Sequence, residues 1–458
     1  MGEDLTLNEY EKQRLENIRR NEEILRQLNI PELAHKKPTQ PTRQSLRIRG
    51  FTPDGIEAKR KAEQDEKRLE GEKRVRMMGD LDLNSIRSDM TSIDDTNDFV
   101  DILSNLTKSS LSEDRKSISD DIDYSCIAGG VDGFKAARMA YGSLAIGEKW
   151  SSVKVTPERI YCVAIHPAKE KVLVAAGDKT GWLGFWDVKE SIKSEDEDEE
   201  DQPRTYLFQA HTKTITSTMY SPTNSNNLYT CSYDGSIRSF DFNQAKFVEA
   251  FVYSESRHDY FLSSMDMDPN GQIIYLSTNH GKFGIKDTRE PIETFTEYKL
   301  HDHKIGCISI NKIQPQYLVT SSLDRTMCLW DIRKLDSKES IEIQKIQFSN
   351  AVTSAYWSPN GNQVVSSSFD DTVKVFDFNE QSNLSTRHQI PHNNRTGRWV
   401  TMFRAIWNPN QNVHPHFIIG NMGRAADIMS GITAVNAFHP NLNLIMSGNA
   451  SGRMVSWG

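Results

Sequence analysis

The sequence of 458 residues predicts an all-β fold, a seven-bladed β-propeller with an irregular sixth blade, preceded by a largely disordered N-terminal region. The main observation is a repeated pattern, in which a small polar pair and a turn lead into a strand that ends in Trp-Asp or Phe-Asp. The pattern closes at Asp187, Asp241, Asp331 and Asp377, with a weaker copy at Asp287. These positions lie 44 to 54 residues apart. That period is typical of a four-stranded propeller blade.

The second observation is a turn that follows the inner strand of most repeats. It contains Pro167, Pro222, Pro269, Pro359, Pro409 or Pro440. Proline is tolerated there because it follows the strand and pre-sets the backbone for a turn. The predicted blades span 159–188, 209–251, 259–296, 299–347, 348–390, 397–430 and 431–458.

The last two blades are incomplete in the sequence. Blade six has no room for a fourth strand between Ile428 and Ile432, which predicts a three-stranded or rebuilt sheet. Blade seven has only three strands before Gly458, and residues 149–156 are the available donor of its outer strand. Joining the two ends of the propeller in this way removes an exposed sheet edge.

Polar residues recur at fixed positions in these repeats. Asp234, Asp324 and Asp370 occupy the turn seven residues before the closing Asp, and Trp330 precedes one closing Asp. We expect them to form buried hydrogen bonds that lock each blade, because buried polar groups are nearly always paired. They are therefore not predicted to be binding residues.

The first third of the chain has a different composition. Residues 36–76 hold 13 Lys or Arg against 7 Asp or Glu, and residues 80–123 hold 12 acids against 4 bases. Such blocks of like charge are typical of disordered tails, so residues 1–140 are predicted to be disordered and residues 141–458 to form the propeller. One helix is predicted near 5–28, where Thr6 and Glu9 form a capping box. The basic block is compatible with phosphate contact or with a nuclear import signal.

Charge and cysteine usage limit the class of protein. The segment 195–201 carries seven negative charges, and removing them from the net charge of −8 leaves −1 for the rest of the chain. A near-neutral remainder allows local basic surfaces. The five cysteines are scattered without a CxxC pair, which favours reduced thiols in an intracellular protein. The sequence has neither a signal peptide nor a run of 18 apolar residues, so no membrane association is predicted.

Cations recur in the loops of one propeller face. In a propeller, the loops leading into the inner strands and the hairpins between the middle strands lie on the same face. The first group holds Arg159, Lys213, Lys304, Arg395 and Arg398, and the second holds Lys179, Lys282, Arg325, Arg424 and Arg453. A ring of positive charge predicts phosphate binding, whereas the alternative is a solvated loop surface.

The most distinctive loop is residues 391–407, PHNNRTGRWVTMFRAIW. It places Trp399 beside Arg395 and Arg398 in a turn rich in Asn and Gly. An indole beside guanidinium groups at a loop tip is suited to stacking on bases or wedging between them. The alternative is that Trp399 begins a strand and packs inward.

The segments TPERIYCVAIHP (156–167), AGDKTGWLGFWD (176–187), HNNRTGRWVTMFRAIW (392–407) and SGNASG (447–452), with LNEYEKQRLENIRRNEEIL (7–25), resemble one family over almost the whole chain. This is the family of fungal DNA-damage-binding WD-repeat proteins, related to human WD-repeat protein 76 and to the small subunit of the UV-damaged-DNA-binding complex. The resemblance implies that Gly397, Arg398 and Trp399 form a hairpin that enters the minor groove at a lesion. It also implies that Arg159 and Lys179 contact phosphate.

A second motif suggests a protein partner. Trp330, Asp331 and Arg333 have the WDxR form, and family resemblance links such an arginine to docking on the adaptor of a cullin ubiquitin ligase. Residues 286–289, KDTR, are a weaker copy. The motif also occurs in propellers without such a partner, because fold does not determine function.

The leading interpretation is a non-enzymatic nuclear protein that binds duplex DNA, prefers UV-type damage, acts in the DNA damage response and DNA metabolism, and recruits chromatin-associated proteins. The alternative is a protein-interaction scaffold or a substrate receptor of a cullin-type ubiquitin ligase. No GxSxG, GxxxxGK[ST] or HExxH motif is present. No enzymatic activity, cofactor, metal site or small-molecule substrate is therefore predicted. A nuclear location is expected, with a cytoplasmic pool also compatible.

Overall fold

The repeats form antiparallel sheets whose inner strands contact one another in a closed cycle. A computed structural model describes residues 16, 19–20, 76–89, 91–113, 144, 152–192, 201–253, 260–336, 340–379, 381–397, 399–411, 414–422 and 433–458. The inner strands at 262–267 and 305–310 are buried along almost their whole length, whereas the outermost strand of the fifth repeat, at 384–391, is exposed at nearly every residue. The core therefore lies between neighbouring sheets, as expected of a propeller.

The first three repeats are complete four-stranded sheets. Repeat one contains β3 (Ile160–Ile165), β4 (Leu173–Asp178), β5 (Leu183–Ile192) and β6 (Gln202–Phe208). Repeat two contains β7 (Ile215–Tyr220), β8 (Asn227–Ser232), β9 (Ser236–Asp241) and β10 (Lys246–Val252). Repeat three contains β11 (Leu262–Met267), β12 (Ile273–Thr278), β13 (Lys282–Asp287) and β14 (Thr296–Lys299).

Repeats four and five have the same architecture. Repeat four contains β15 (Ile305–Ile310), β16 (Tyr317–Ser322), β17 (Thr326–Asp331) and β18 (Gln344–Gln347), with a 3₁₀ turn at Ile332–Lys334. Repeat five contains β19 (Val352–Trp357), β20 (Gln363–Ser368), β21 (Thr372–Phe378) and β22 (Leu384–Pro391).

Repeat seven is completed by a strand from before repeat one. It contains β25 (Thr433–Phe438), β26 (Ile445–Asn449) and β27 (Arg453–Trp457). Its outer strand is β2 (Val153–Lys154), in which Val153 pairs with Met454 and Lys154 with Arg453. The predicted donation of this strand by residues 149–156 is confirmed.

The sixth repeat corrects the predicted number of blades. Its described residues form only the two-stranded sheet of β23 (Ile406–Trp407) and β24 (Phe417–Ile418). In the described part of the chain, the propeller therefore has six full blades of at least four strands rather than the seven predicted. The irregularity predicted for the sixth repeat is confirmed for its described residues, which form two short strands.

Part of the N-terminal region is ordered on the propeller. β1 (Leu81–Asp82) adds a fifth strand to repeat two by pairing with β10, and it is followed by α1 (Leu83–Ile86) and α2 (Ile93–Glu113). Ser92 and Asp95 form a reciprocal cap at the start of α2, at 2.8 and 3.0 Å.

The helix α2 is fixed by an aromatic cluster. Phe99 is fully buried, with ring centroids 4.9 Å from Phe185, 4.6 Å from Tyr206 and 5.5 Å from Phe208. The prediction of disorder through residue 140 is therefore wrong for the described residues between 76 and 113, which contribute core residues packed on repeats one and two. The helix predicted near 5–28 lies outside the described residues, except for Glu16, Arg19 and Arg20, which are helical.

Candidate nucleic-acid interface

The strand order places the predicted cations on one face. An inner strand runs from its lead-in loop to its Pro-containing turn, and the next strand returns to the hairpin on the lead-in side. The loops touch directly, since the amide of Lys179 donates to the carbonyl of Arg159 at 3.0 Å and the amide of Leu323 donates to that of Lys304 at 3.0 Å. We call this surface, made of the eight described ring cations, the cationic face.

Two glycines hold neighbouring loops together at this face. Gly181 and Gly452 have φ of 94° and 76°, and a Cβ at either position would overlap a backbone carbonyl, of His211 or of Thr156 respectively. Glycine is required because it alone tolerates both the left-handed backbone and the close approach. The hairpin of one repeat therefore has a fixed position against the lead-in loop of the next.

Four of the cations are half-buried and lie over aromatic rings. The charged groups of Arg159, Lys213, Lys282 and Lys304 lie 4.9, 4.8, 5.1 and 4.8 Å from the ring centroids of Tyr161, Phe261, Tyr260 and Tyr233, respectively. Cation–π contacts of this length restrict the side chains without neutralising them. These aromatic residues were not predicted from the sequence. Tyr161 lies in the same repeat as Arg159, Phe261 in the repeat after that of Lys213, and Tyr233 two repeats before Lys304, so only the structure reveals their role.

Hydrogen bonds and ion pairs restrict these cations further. Arg159 donates to the Tyr161 hydroxyl at 2.6 Å, and Lys304 donates to the Tyr233 hydroxyl at 2.6 Å. Lys282 forms an ion pair with Glu297 at 2.5 Å, so its charge is partly compensated.

The remaining described cations are exposed. Lys179, Arg325 and Arg453 project into solvent, and Arg395 is 79% exposed while paired with Asp371 at 2.8 Å. Arg325 has φ of 71°, which places it at the tip of the β16–β17 hairpin. Arg398 and Arg424 lie outside the described residues. Eight of the ten cations predicted for the ring are described, and all eight lie in loops of the same face.

The loop that carries Trp399 is anchored at both ends. Asn394 is buried and its amide donates to the carbonyls of Ser368 at 2.8 Å and Thr372 at 3.1 Å. On the other side, the hydroxyl of Thr401 donates to the carbonyl of Ile160 at 2.7 Å. These hydrogen bonds join the loop to repeats one and five.

Trp399 itself points outward. Its side chain is 77% exposed, and it is the only aromatic residue among the exposed large apolar side chains of the described ranges. The inward-packed alternative is therefore wrong, because the core position of this loop is taken by Phe403, which is 1% exposed. Gly397, two residues earlier, has φ of 64° with no atom near its Cβ position, which is compatible with a sharp turn at the tip.

The turn aspartates have the predicted structural role. Asp234 accepts from His211 at 2.9 Å and from the Ser236 hydroxyl at 2.6 Å. Asp324 makes the equivalent contact with His301 at 2.7 Å. Burial alone would raise the pKa of both carboxyl groups, but the neighbouring histidine and hydroxyl hold each pKa well below its usual range. Asp370 instead accepts from the hydroxyl of Thr372 at 2.5 Å.

The WDxR motif is only partly accessible. Trp330 is buried and its indole N–H donates to Thr320 at 2.9 Å, so it stabilises repeat four and does not form part of an exposed docking surface. Asp331 is also buried and binds Arg333 through two hydrogen bonds of 2.9 and 2.8 Å. Arg333 alone is exposed, at 66%. Asp287 and Arg289 repeat this pairing in repeat three.

The described part of the chain contains no group of three or more His, Cys, Asp or Glu side chains placed to bind a metal ion. Cys162, Cys231, Cys307 and Cys328 are buried free thiols, and burial raises the pKa of Cys231 and Cys328 to about 12. In the same ranges, no helix is both long and apolar enough to cross a bilayer.

The fold and its repeats define the class of protein. The chain matches the family described as WD domain, G-beta repeat, over residues 202–241, 291–331 and 342–377. It is thus a WD-repeat β-propeller, a fold typical of binding proteins.

Similarity to whole proteins is more specific. The chain is 32% identical to DNA damage-binding protein cmr1 of Neurospora crassa over 98% of both chains. It is 32% identical to the Phaeosphaeria nodorum protein over 100% of this chain and 99% of the relative, and 34% identical to the Emericella nidulans protein over 98% and 99%. The chain belongs to this family of fungal DNA damage-binding WD-repeat proteins.

Proposed function

We propose that the chain is a non-enzymatic protein that binds duplex DNA through the cationic face and prefers duplexes with a damaged base pair. The observation that carries the proposal is the exposed indole of Trp399 at the tip of an anchored loop, beside a ring of cations. Its relatives are named for binding to damaged DNA, and this supports the same activity here.

The cationic face supplies affinity without reading sequence. Contacts from Lys and Arg to phosphate release counterions and position the protein on the duplex, and they apply to damaged and intact DNA alike. The aromatic rings under Arg159, Lys213, Lys282 and Lys304 favour this role because they hold the charges in fixed positions before DNA binds.

Preference for damage requires a group that acts on the bases. A damaged or mismatched pair has lost part of its pairing and stacking energy, so opening it costs less than opening a sound pair. An indole that enters the minor groove can fill the gap and regain stacking. Trp399 meets this requirement because its indole is exposed on a loop that Asn394 and Thr401 anchor.

A competition experiment tests this proposal. Labelled duplex with one UV-type lesion is bound to the full chain and displaced by unlabelled damaged or intact duplex of the same sequence, at two salt concentrations. The expected result is that the damaged competitor is at least tenfold more effective, and that both affinities fall steeply with salt. Equal competition by the two duplexes would contradict a preference for damage, and a flat salt response would contradict phosphate binding.

A second function concerns protein partners. The exposed guanidinium of Arg333, held by two hydrogen bonds to Asp331, favours docking on the adaptor of a cullin-type ubiquitin ligase. Replacement Arg333→Ala is expected to abolish co-purification with such an adaptor while leaving DNA affinity unchanged. Nuclear location and recruitment of chromatin-associated proteins are part of the proposal, and imaging of the tagged chain in intact cells tests the location.

A further inference from the structure

The inner strands enclose a cavity of about 600 Å³ along the propeller axis. Its lining includes the turn prolines Pro167, Pro222, Pro359 and Pro440, which lie at the end of the inner strands away from the cationic face. None of the described ring cations lines it. These prolines place one end of the cavity at the opposite face of the propeller, which the proposed DNA contacts leave uncovered, whereas Tyr161, the ring beneath Arg159, lines its other end.

One charged side chain crosses this channel. Arg404 comes from the inner segment of repeat six, and its Nη1 donates to the carbonyl of Thr216 in repeat two at 3.5 Å. Its Nε is buried and has no hydrogen-bond partner. Among the described residues Arg404 has no acidic partner within ion-pair distance.

The groups around the guanidinium are neutral. Burial raises the pKa of the Cys162 thiol to about 12 and raises the pKa of Cys307 and of Tyr356, so none of the three carries negative charge at neutral pH. The nearby carboxylate of Asp266 is already bound, to Lys312 at 2.6 Å and to the amide of Ile310 at 2.7 Å. A buried cation without a counter-charge is unfavourable, and an anion that enters the channel would relieve this cost.

The rest of the lining indicates what kind of anion fits. Met219, Met265, Ile406 and Val435 present apolar surface in the cavity. Two hydroxyl groups in the same lining, Thr218 Oγ1 and Tyr220 Oη, are buried without hydrogen-bond partners. A cavity of about 600 Å³ is far larger than a single inorganic ion and lies within the usual range of ligand pockets.

We propose that this channel binds a peptide segment that inserts an acidic side chain flanked by apolar residues. The carboxylate pairs with the Arg404 guanidinium, and the flanking side chains cover the apolar lining. The site would let the protein hold a protein partner on one face while the other face contacts DNA.

The experiment compares two synthetic peptides, acetyl-Leu-Glu-Leu-amide and acetyl-Leu-Gln-Leu-amide, by calorimetric titration into the full chain at millimolar concentration. The wild-type protein is expected to bind the Glu peptide at least tenfold more tightly than the Gln peptide, because only the carboxylate compensates Arg404. Arg404→Met is expected to abolish the difference without changing duplex DNA affinity. Arg325→Met, the same substitution on the opposite face, is the matched control and should leave peptide binding unchanged.

Stability measurements keep the test decisive. Arg404→Met is expected to melt at or above the wild-type temperature, because it removes an uncompensated buried charge. If this variant unfolds, the affinities for the two peptides are compared on the wild-type chain and on Arg404→Lys, which keeps the positive charge. Both proteins are then expected to prefer the Glu peptide. The proposal would be overturned if the wild-type chain bound the two peptides equally or bound neither of them. It would also be overturned if Arg404→Met lost DNA affinity while its peptide binding stayed unchanged.

Discussion

At the scale of single residues, the indole of Trp399 is notable because its exposure offers no stability in the free protein. Apolar surface left in water contributes nothing to the hydrophobic stabilisation of the fold, and a side chain that is 77% exposed leaves most of its surface there. The same loop buries Phe403 completely. The two aromatic residues thus have separate roles, one in the core and one at the surface.

The variant Trp399→Ala tests the surface role. It is expected to reduce affinity for damaged duplex by about tenfold or more, because stacking on a base is worth roughly 1–3 kcal/mol and 1.4 kcal/mol is one decade. Intact duplex should be nearly unaffected. Fluorescence anisotropy with matched damaged and intact duplexes measures both.

The control for this variant is Ile341→Ala. It truncates another apolar residue that is 78% exposed and lies outside the loop of Trp399. Both variants should melt close to the wild-type temperature, because exposed side chains contribute little to stability. A tenfold loss for both duplexes alike would show that Trp399 contributes to general affinity and not to damage preference.

A second residue-scale prediction concerns acid stability. The pKa of Asp234 is held below its usual range by His211 and Ser236, so the stabilisation is fully present above an unfolded-state pKa of about 3.9 and is lost as the pH falls toward the lower folded-state pKa. Asp234→Asn is expected to destabilise the chain by about 3–5 kcal/mol at pH 7, because it breaks a buried pair. It should also flatten the decline of stability below about pH 4.

Urea denaturation of both proteins at a series of pH values measures this effect. Asp241→Asn is a suitable control, since Asp241 is half-buried and hydrogen-bonds only to Asn243 of the adjoining turn. Parallel stability curves for the wild type and Asp234→Asn would contradict the assigned role.

At the scale of secondary-structure elements, the helix α2 lies in an acidic segment, and its apolar side packs on the propeller. Its buried residues Phe99, Ile102, Leu103 and Leu106 pack on the outer strands of repeats one and two. Phe99→Ala is expected to cost about 3–5 kcal/mol, because a fully buried aromatic side chain leaves a cavity. Limited proteolysis should then cut between residues 76 and 113 far faster than in the wild type.

The matched control on the same helix is Asp101→Ala, an exposed position whose change should stay within about 0.5 kcal/mol. Equal protease resistance of the wild type and Phe99→Ala would show that α2 does not depend on its aromatic contacts.

These elements also show how far the sequence could be interpreted. The strands of repeats two, four and five were predictable because the signals of a blade are local, with a fixed period and a turn Asp such as Asp324. The docking of α2 was not predictable, because its four apolar residues stand in a polar stretch. The residues on which they pack, among them Phe185, Tyr206 and Phe240, lie far away in the chain. The cations were visible in the sequence, but two of the rings beneath them, Phe261 and Tyr233, come from other repeats.

At the scale of the whole molecule, the propeller carries two different surfaces. The cationic face carries the described ring cations, whereas the opposite face opens into the channel of Arg404. Since affinity for the phosphate backbone is spread over many contacts, no single cation of the ring is expected to be essential.

The double variant Lys179→Glu/Arg325→Glu tests this distribution. Both side chains are exposed, so the fold should be unaffected. Affinity for damaged and intact duplex is expected to fall about equally, and the salt slope should flatten by about one unit for each lost phosphate contact. Titrations at several salt concentrations measure the slope. The control is Lys345→Glu, which changes an exposed lysine in the outer strand β18. Unchanged DNA affinity in the double variant would show that the ring is a solvated surface.

The pairing of β2 with β27 has a consequence for how the protein is made. During translation β2 leaves the ribosome before the strands of all seven repeats except the added strand β1, and β27 leaves after all the rest. At about 5–20 residues per second the interval between them is on the order of 15 to 60 s. Throughout that time the nascent propeller is an open arc in which β2 has no partner strand. Biosynthesis therefore depends on shielding the arc until the final strand arrives, and a ribosome that stalls within repeat seven would leave a chain that is nearly complete but unable to close.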